Sequence, residues 1–405
     1  MDVTLSDLRL ALARRELVYH YQPKVSLLLG GVCGAEALLR WRRPDGTLAP
    51  PGAFIPLAES TGFITEITLA MLSQLAEDVE TVRAADPGLV VSFNASALDF
   101  EDGRLVKALL DLLASGRLRA GEIEVEVTET AMLAAGPGHL RRLAQLRERG
   151  IGIAMDDFGL GYSGLDTLSR LPFTALKIDQ GIVQRMEVSD KDATIVESSI
   201  WLAHRLGLEV VAEGVETEQA FNLLQGAGCS IAQGYWFARP MPLPEFVAFV
   251  RSGPRWPSGA LGLIHLAMLD HLEWRKALID SLLATAHGEG SGVASMRRFA
   301  IDPTECRLGR WCHGAGRAFG DVLAYRALER AHAELHVHGR RLVEASERDA
   351  CFAELAPTLQ QLTACSTVLV GLLQELEHSV LTRIAEPRGL AAADGRAERE
   401  TVPAA

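Results

Sequence analysis

The strongest constraint on the fold of this chain is an alternation of short apolar runs with longer amphipathic segments between residues 17 and 240. Eight runs occur, at Leu17–Tyr21, Val32–Leu39, Val90–Phe93, Ile123–Val127, Ile151–Met155, Ala175–Ile178, Leu208–Ala212 and, less clearly, Ser230–Ala232. Helix-like stretches such as His139–Arg149 and Ala193–Leu206 lie between most of them. Strands that alternate with helices predict a parallel sheet, and about eight such units predict an α/β fold, the (β/α)₈ TIM-like barrel.

A different pattern follows the barrel segment. The stretch Arg251–Gly262 contains two prolines and three glycines, which is typical of a linker. Beyond it the strand-like runs stop, and long helical repeats predict an all-α four-helix bundle. We therefore predict a barrel over 1–250, a linker over 251–262, a bundle over 263–386 and a disordered tail over 387–405. At the other end, the spacing of Leu5, Leu8 and Leu12 predicts a helix that Thr4 or Ser6 could cap.

Composition excludes several classes of function. The net charge of −12, from 40 basic and 52 acidic residues, argues against binding to a nucleic-acid polymer, which requires basic surface. No stretch of 18 apolar residues is free of charge, and residues 1–17 lack the features of a secretory signal. We therefore expect no membrane insertion and a cytoplasmic location, in which the six cysteines are buried thiols or metal ligands rather than a disulfide framework.

Polar side chains stand at or near the ends of most apolar runs. They are Asn94, Glu126, Glu129, Asp156, Asp157, Lys177, Asp179, Glu213 and Gln233. Any one of them, taken singly, is more often a helix cap or a solvated loop residue. In a (β/α)₈ barrel, however, the carboxyl ends of the strands form the active face, so these side chains are expected to converge on one pocket.

The adjacent pair Asp156 and Asp157 is the most informative of these. Neighbouring carboxylates repel one another unless cations compensate, and hard divalent ions prefer oxygen ligands. A carboxylate shared by two metals is typical of phosphodiester hydrolysis. The glycines that follow, in the loop Asp157–Leu165, indicate either a mobile loop beside a ligand or an ordinary flexible connection.

Eight motifs in order resemble those of the EAL-domain phosphodiesterases. They are YQPKV at 21–25, EALLRW at 36–41, FNAS at 93–96, EVTET at 126–130, DDFGLGYSGL at 156–165, LKID at 176–179, AEGVET at 212–217 and QGYWFARP at 233–240. The resemblance covers roughly residues 5–250. It implies an enzyme that hydrolyses cyclic-di-GMP to 5′-pGpG and forms a homodimer.

The resemblance also implies roles for individual residues. One Mg²⁺ or Mn²⁺ ion would be held by Glu36, Asn94, Glu126 and Asp156, and a second by Asp156, Asp157 and Glu213, so that there are two ions per active site. Glu213 could alternatively be the general base. Lys177 and Asp179 would belong to the catalytic group, Lys177 acting on the attacking water, and Glu129 would brace the Asp157–Leu165 loop. Gln22, Arg40 and Gln233 would contact substrate, with the Arg40 guanidinium suited to a phosphate.

The bundle segment carries a candidate zinc site. His332 and His336 are four residues apart, so on a helix they share one face and can chelate one ion. With His271 and Cys306 they make three imidazoles and one thiolate, a set suited to tetrahedral zinc. The order HxxW, CxLGxW and HxxxH resembles the chemoreceptor zinc-binding domain, a four-helix bundle. This resemblance implies one Zn²⁺ on His271, Cys306, His332 and His336.

Two hypotheses for the function of the whole chain follow. In the first it is a cyclic-di-GMP phosphodiesterase that zinc occupancy of the bundle regulates. In the second it is a catalytically silent receptor that binds the same dinucleotide and signals to a partner. The bundle alone has a third reading, a structural zinc domain that only dimerises the protein. The complete set Glu36, Asn94, Glu126, Asp156 and Asp157 favours the enzyme.

Overall fold

A computed structural model gives the structure of the chain. It describes residues 3–129, 137–159, 172–257, 261–286, 302–304, 306–313, 315–348 and 352–385. The predicted disordered tail over 387–405 and residues 160–165 of the glycine-rich loop lie outside the described residues.

Eight strands close into a barrel. In chain order the strands are β1 (Leu17–Ser26), β2 (Val32–Arg42), β3 (Leu48–Ala49), β4 (Val90–Asn94), β5 (Ile123–Thr128), β6 (Gly152–Phe158), β7 (Ala175–Ile178), β8 (Glu209–Ala212), β9 (Ile231–Ala232) and β10 (Met241–Pro242). The barrel order is β1-β9-β8-β7-β6-β5-β4-β2, and β2 pairs back onto β1. All eight predicted runs lie in barrel strands, so the predicted barrel is confirmed. The short strands β3 and β10 were not predicted.

The first strand departs from the predicted parallel sheet. β1 pairs antiparallel with both of its barrel neighbours, β2 and β9. All the other neighbouring strands of the barrel pair in parallel, beginning with β2 and β4 and ending with β8 and β9. Only five residues separate Ser26 from Val32. A parallel connection needs a crossover of about a dozen residues, so this short segment permits only a hairpin. β1 therefore runs from the active face of the barrel towards the opposite face.

Helices surround the barrel and form the C-terminal part of the chain. They are α1 (Leu5–Ala13), α2 (Ile55–Ser60), α3 (Ile64–Ala85), α4 (Arg104–Ala114), α5 (Pro137–Glu148), α6 (Gln180–Arg185), α7 (Asp190–Leu206), α8 (Glu218–Gly226), α9 (Leu243–Arg251), α10 (Leu261–Ala286), α11 (Arg307–His313), α12 (Leu323–Glu347) and α13 (Phe352–Ala385). The predicted N-terminal helix is confirmed as α1. Thr4 caps it, and Asp7 completes a capping box with the Thr4 backbone.

Alternation along the strands separates an apolar shell from a polar barrel interior. On β5, Ile123, Val125 and Val127 belong to the apolar core between the strands and the surrounding helices. Glu124 and Glu126 alternate with them and are also buried. Successive side chains of a strand point to opposite faces, so the two glutamates share the interior of the barrel.

The predicted linker is packed against the barrel. Helix α9 ends at Arg251 and α10 begins at Leu261, and residues 252–257 are the described part of the segment between them. The Trp256 ring lies against Phe237, with ring centroids 5.3 Å apart, and the Trp256 backbone N–H donates to the Gly30 carbonyl. The Gln225 side chain donates to the carbonyls of both Leu27 and Pro257. The linker is thus joined to the turn between β1 and β2.

The C-terminal helices contain two apolar clusters. The first, which we call the proximal cluster, contains Ile264, Ala267, Leu308, Cys312, Ala324, Tyr325, Leu328, Ala331, Leu369, Leu373, Leu376 and also Leu28 from the β1–β2 turn. The second, the distal cluster, contains Leu278, Leu282, Leu335, Leu342, Val343, Leu355 and Leu362. Because Leu28 is part of the proximal cluster, the barrel contributes directly to the core of the helical region.

One described helical segment, Ala353–Ser379, is long and apolar enough to cross a membrane by length and composition alone. This segment belongs to α13, whose Leu362, Leu369, Leu373 and Leu376 are fully buried against the other C-terminal helices. These four leucines are therefore used in helix packing, whereas Val368 in the same segment is 56% exposed.

The close approach of β2 and β4 supplies a first test of the fold. A Cβ atom added at Gly34 would lie 2.4 Å from the Val90 carbonyl oxygen, so the strands must separate to admit it. We expect Gly34→Ala to lower the free energy of unfolding by about 2 kcal/mol, measured by urea denaturation followed by circular dichroism. Gly52→Ala is the matched control, because nothing lies within 4 Å of its added Cβ. Equal midpoints for the two variants would contradict the expectation.

Candidate functional site

The Lys177 ammonium is the centre of the barrel's polar interior. Lys177 is 1% exposed, and its Nζ lies 2.6 Å from Glu213, 3.2 Å from Asp156 and 3.7 Å from Glu36. It also donates a short hydrogen bond to Glu126 Oε2. The four carboxylates come from β2, β5, β6 and the residue after β8. The predicted convergence of polar side chains on one pocket is therefore present for Lys177, Glu126, Asp156 and Glu213, and Glu36, which only the resemblance implied, joins them.

A second set of contacts links Glu36 to three amide side chains. The Asn94 amide donates to Glu36 Oε1 at 2.7 Å, and the Gln233 amide donates to Glu36 Oε2 at 2.6 Å. Gln233 also donates to Gln22 Oε1 at 3.0 Å, while Gln22 donates to the Ala238 carbonyl. The predicted substrate-contacting residues Gln22 and Gln233 thus lie beside a predicted metal ligand.

The backbone at Asp156 and Asp157 is irregular. The register between β6 and β7 shifts between Met155 and Phe158, which marks a bulge. Asp157 has a φ of 60°, in the left-handed region that residues other than glycine adopt at a cost in energy. Bulges of this kind change the direction of side chains next to active sites. The strain follows from placing two successive carboxylates near one pocket.

The remaining predicted residues lie around this group rather than at its centre. The Asp179 carboxylate accepts hydrogen bonds from the backbone N–H groups of Gly181 and Ile182, and so caps α6. Glu129 is buried at the end of the described part of the β5 loop. Arg40 is half-buried on β2, and its guanidinium donates to the Leu39 carbonyl.

Burial and like charge dominate the electrostatics of the pocket. Burial and the neighbouring Glu126 raise the pKa of Glu36. Burial also raises the pKa of Glu213 to about 8, with Lys177 opposing the shift and Asp156 adding to it. Burial alone would lower the pKa of Lys177, but the surrounding carboxylates outweigh it and hold this pKa well above its usual value. The pocket therefore holds more negative charge than Lys177 neutralises, which favours the binding of further cations.

Three of the four predicted zinc ligands converge in the helical region. The Cys306 sulfur lies 3.0 Å from His332 Nε2, which lies 3.2 Å from His336 Nε2. All three donor atoms fall within 4.8 Å of one another, and both histidines are buried. A thiolate and two imidazoles at this separation can share one Zn²⁺, since zinc binds such ligands at about 2.0–2.3 Å.

His271 is placed differently from the prediction. Its Nε2 lies 2.8 Å from the Ser366 hydroxyl, which also accepts a hydrogen bond from Arg275, and it is not part of the 4.8 Å cluster. Ser366 is fully buried on α13. A buried imidazole takes the nearest polar partner, and Ser366 supplies one that sequence spacing did not reveal. To reach the cluster, His271 would have to leave Ser366.

Comparison with known proteins identifies the barrel. A family model described as the EAL domain matches residues 5–240, more than half of the chain. The chain belongs to the EAL-domain family. A second model, the chemoreceptor zinc-binding domain, matches residues 271–343, which include Cys306, His332 and His336.

Two proteins of Pseudomonas aeruginosa are similar to the EAL domain. The bifunctional diguanylate cyclase/cyclic di-GMP phosphodiesterase MucR is 41% identical over 247 residues, which are 61% of this chain and 36% of MucR. The cyclic di-GMP phosphodiesterase RocR is 36% identical over 247 residues, which are 61% of this chain and 63% of RocR. The matched region thus spans about a third of one relative and just under two thirds of the other.

Solved structures show the same fold. The structure of the PaMucR phosphodiesterase in complex with c-di-GMP is 41% identical with a TM-score of 0.57, covering 60% of this chain and 98% of that one. The EAL enzyme Bd1971, in a form with cAMP and cyclic-di-GMP bound, is 32% identical with a TM-score of 0.58, covering 60% of this chain and 67% of that one.

Sequence reasoning missed two charged residues inside the EAL domain. Lys24 is 5% exposed, and its ammonium donates to Glu126 Oε1 at 2.9 Å and to Glu124 Oε1 at 3.2 Å. Lys24 is two residues after Gln22 on β1, and Glu124 is two residues before Glu126 on β5. Residues two apart on a strand point to the same face, so this spacing could have predicted that Lys24 and Glu124 lie inside the barrel.

The buried histidines predict a pH-dependent stability of the zinc-free helical region. Burial lowers the pKa of His332 to about 3 and that of His271 to about 4, whereas an unfolded histidine titrates near 6.5. Below pH ~6.5 the unfolded chain binds protons that the folded chain does not. The free energy of unfolding should therefore fall by up to about 1.4 kcal/mol per pH unit for each histidine until the folded pKa is reached.

Thermal unfolding in the presence of a zinc chelator, followed by circular dichroism at pH 7, 6 and 5, measures this effect. His332→Gln should reduce the pH slope, because one of the two histidines is removed. His313→Gln, at an exposed position on α11, should keep the wild-type slope. A melting profile that does not change between pH 7 and pH 5 would contradict the expectation.

Proposed function

We propose that the chain hydrolyses cyclic-di-GMP to the linear dinucleotide 5′-pGpG. The observation that supports this most directly is Lys177 surrounded by four carboxylates, three of them buried, at the active face of an EAL barrel. MucR and RocR, which share 41% and 36% identity with this region, are named as cyclic di-GMP phosphodiesterases. The similar PaMucR phosphodiesterase structure is a complex with c-di-GMP.

The residues of the pocket fit two Mg²⁺ or Mn²⁺ ions. Glu36, Glu126, Asp156 and Glu213 surround the Lys177 ammonium, and of these four Lys24 pairs with Glu126 alone. Four carboxylates with two lysines leave an excess of negative charge that divalent ions would neutralise. Among the described residues, the Gln233 Oε1 atom is buried without a hydrogen-bond partner. Glu36, Asn94, Glu126 and Asp156 would hold one ion, and Asp156, Asp157 and Glu213 the other. Bound metal would acidify the attacking water and neutralise charge on the phosphate.

The side chains of the pocket would perform the proton transfer. The water oxygen attacks phosphorus, the bond from phosphorus to the ribose 3′ oxygen breaks, and that oxygen takes a proton from solvent. As the alternative to ligating the second ion, Glu213 would accept the proton of the water, since it lies beside Lys177 in the pocket. Lys177, 2.6 Å from Glu213, would orient the water and stabilise developing negative charge.

Residues at the edge of the pocket would bind the dinucleotide. Gln22 and Gln233 lie next to Glu36 and can donate to substrate after small rotations of their amides. The half-buried Arg40 guanidinium near Glu36 would bind a phosphate through two parallel hydrogen bonds. Glu129 and Asp179 would support the loop after Asp157, since both lie near that residue.

The replacement Asp156→Asn tests the enzyme against the alternative of a silent receptor. It removes one negative charge from both proposed metal sites and keeps the size of the side chain, so turnover with Mg²⁺ or Mn²⁺ should fall at least about 100-fold. Asp190→Asn, at the exposed start of α7, should keep wild-type turnover. Product formation is measured by separating cyclic-di-GMP from 5′-pGpG by chromatography.

The same assay can contradict the proposal. A wild-type chain that binds cyclic-di-GMP without converting it would support the receptor instead. Wild-type turnover in a folded Asp156→Asn protein would contradict the two-metal mechanism.

We also propose that the helical region binds one Zn²⁺ and regulates the barrel. Cys306, His332 and His336 supply three converging donors, and His271 would become the fourth by leaving Ser366. The chain segments that carry these residues lie between the proximal and distal clusters, because Ala331 belongs to the first and Leu335 to the second. A zinc ion there would join α10, α12 and the Cys306 segment, so its binding energy would stabilise the helical packing.

Contacts around Leu28 support a route from the zinc site to the barrel. Leu28 is 9% exposed within the proximal cluster, to which Cys306 also packs. The turn that carries Leu28 leads directly into β1, where Gln22 and Lys24 contact the pocket. A shift of the helices on zinc binding would therefore reach the pocket through one strand.

Replacing each of two neighbouring leucines by alanine tests this route in the full-length chain. Leu28→Ala removes the buried contact, whereas Leu29→Ala changes a side chain that is 59% exposed. We expect Leu28→Ala to abolish the difference in turnover between zinc-loaded and zinc-stripped protein while zinc content stays at about one per chain. Leu29→Ala should keep both. Elemental analysis and turnover with excess Mg²⁺ are the measurements.

Two outcomes would contradict the regulatory proposal. The first is equal turnover of the zinc-loaded and zinc-stripped wild-type chain. The second is a zinc response that Leu28→Ala leaves unchanged. Absence of zinc from the intact protein would contradict the binding proposal itself.

The expected assembly and boundaries are part of the proposal. We propose a homodimer in the cytoplasm, with an EAL barrel over 1–250, a linker over 251–262 and a zinc-binding bundle over 263–386. The two family matches, 5–240 and 271–343, support this division because each falls within one proposed domain.

A further inference from the structure

Lys24 is a second buried lysine that pairs with Glu126, and it binds a different carboxylate oxygen from Lys177. The Lys24 ammonium donates to Glu126 Oε1 at 2.9 Å, and the Lys177 ammonium donates to Glu126 Oε2. Each oxygen of one carboxylate is therefore bound by a different lysine. The two lysines come from β1 and β7, so they fix the carboxylate from opposite sides.

The Glu126 carboxylate, which solvent does not reach, is held mainly by these two lysines, with a further hydrogen bond from the Ser92 hydroxyl. The Glu126 side chain is 0% exposed. Burial alone would raise the pKa of Glu126, but the charges of Lys177 and Lys24 outweigh it and lower this pKa. When a buried carboxylate loses one partner, the free-energy cost of removing it from water remains, but the interaction that offset this cost is gone. Without Lys24, solvent could not replace the ammonium as a hydrogen-bond donor to Oε1.

The loss of Lys24 would also disturb the arrangement around Lys177. A carboxylate oxygen has two lone pairs, so Oε2 can accept from Lys177 and still coordinate a cation. With Oε1 released, the carboxylate is free to turn both oxygens towards Lys177. That rotation would draw the ammonium away from Asp156, 3.2 Å distant, and Glu213, 2.6 Å distant.

We propose that Lys24 is a positioning residue of the active site, which fixes the orientation of Glu126 and thereby sets both metal affinity and turnover. This inference rests on the proposed metal-dependent phosphodiesterase. Lys24 acts through Glu126 and does not contact substrate. Groups that orient metal ligands in this way typically contribute about 10- to 100-fold to metal affinity or activity.

The variant Lys24→Met tests the proposal, because methionine fills similar space without the charge. Two properties of the full-length protein are measured. Mn²⁺ affinity is obtained from the loss of the free-ion signal in electron paramagnetic resonance, and kcat and KM are obtained with cyclic-di-GMP. We expect Mn²⁺ affinity and kcat each to fall about tenfold, with KM changed less than about threefold. Lys107→Met, at an exposed position on α4, should match wild type.

A double-mutant cycle separates positioning from a general structural role. If Lys24 acts through Glu126, then Lys24→Met should not weaken Mn²⁺ binding further in a Glu126→Gln background. A structural role, such as neutralising Glu124 to hold β1 against β5, predicts instead an equal loss in both backgrounds. Circular dichroism establishes that the variants are folded.

The outcomes are distinct. Unchanged Mn²⁺ affinity in folded Lys24→Met, or a further loss in the Glu126→Gln background, would overturn the positioning role. A wild-type chain that binds Mn²⁺ but does not hydrolyse cyclic-di-GMP would overturn the proposed function, and the assignment of Lys24 would then be judged by Mn²⁺ affinity alone. A wild-type chain that binds no Mn²⁺ would overturn both.

Discussion

The attraction between the buried Lys177 ammonium and the four carboxylates around it governs the organisation of the barrel interior. Glu36, Glu126, Asp156 and Glu213 would repel one another in a buried pocket, and Lys177 offsets only part of that repulsion. Burial raises the pKa of Glu213, and the neighbouring Asp156 adds to the shift. The same crowding of carboxylates underlies the proposed metal binding and the proposed role of Glu213.

β1 connects this pocket with the rest of the molecule. It is antiparallel to its neighbours, so residues that follow one another along β1 pass from the pocket to the opposite end of the barrel. Gln22 and Lys24 contact pocket residues, and Leu28 enters the proximal cluster of the helical region. A single extended segment therefore contacts the pocket and the proximal cluster, against which Cys306 packs. Rigid secondary structure of this kind can carry a displacement between two sites.

The sequence predicted the barrel and most of the pocket for physical reasons. Strand periodicity and the rule that parallel strands end at one face brought Asn94, Glu126, Asp156, Lys177, Glu213 and Gln233 together. The resemblance to EAL-domain phosphodiesterases added Glu36. The antiparallel direction of β1 was missed because the strand–helix alternation in the rest of the barrel suggested that every strand is parallel. The connection from β1 to β2 has only five residues, which excludes a parallel crossover between these strands. Lys24 was overlooked because a lysine inside a strand is normally read as exposed. His271 was assigned to zinc through the resemblance to the chemoreceptor zinc-binding domain. Residue spacing gave no sign of the Ser366 hydroxyl, which lies about 95 residues further along the chain.

The burial of Leu28 among the C-terminal helices has a consequence for the evolution and engineering of such chains. Domain shuffling usually joins modules through segments that touch neither partner, so each module keeps its own surface. Here an apolar side chain of the barrel completes the core of the neighbouring domain, and Trp256 and Gln225 hold the connection against the barrel. A recombination event that replaced the helical region would leave a hydrophobic residue exposed on the barrel and a gap in the new partner. We expect the β1–β2 turn to be inherited together with the helices that it fits.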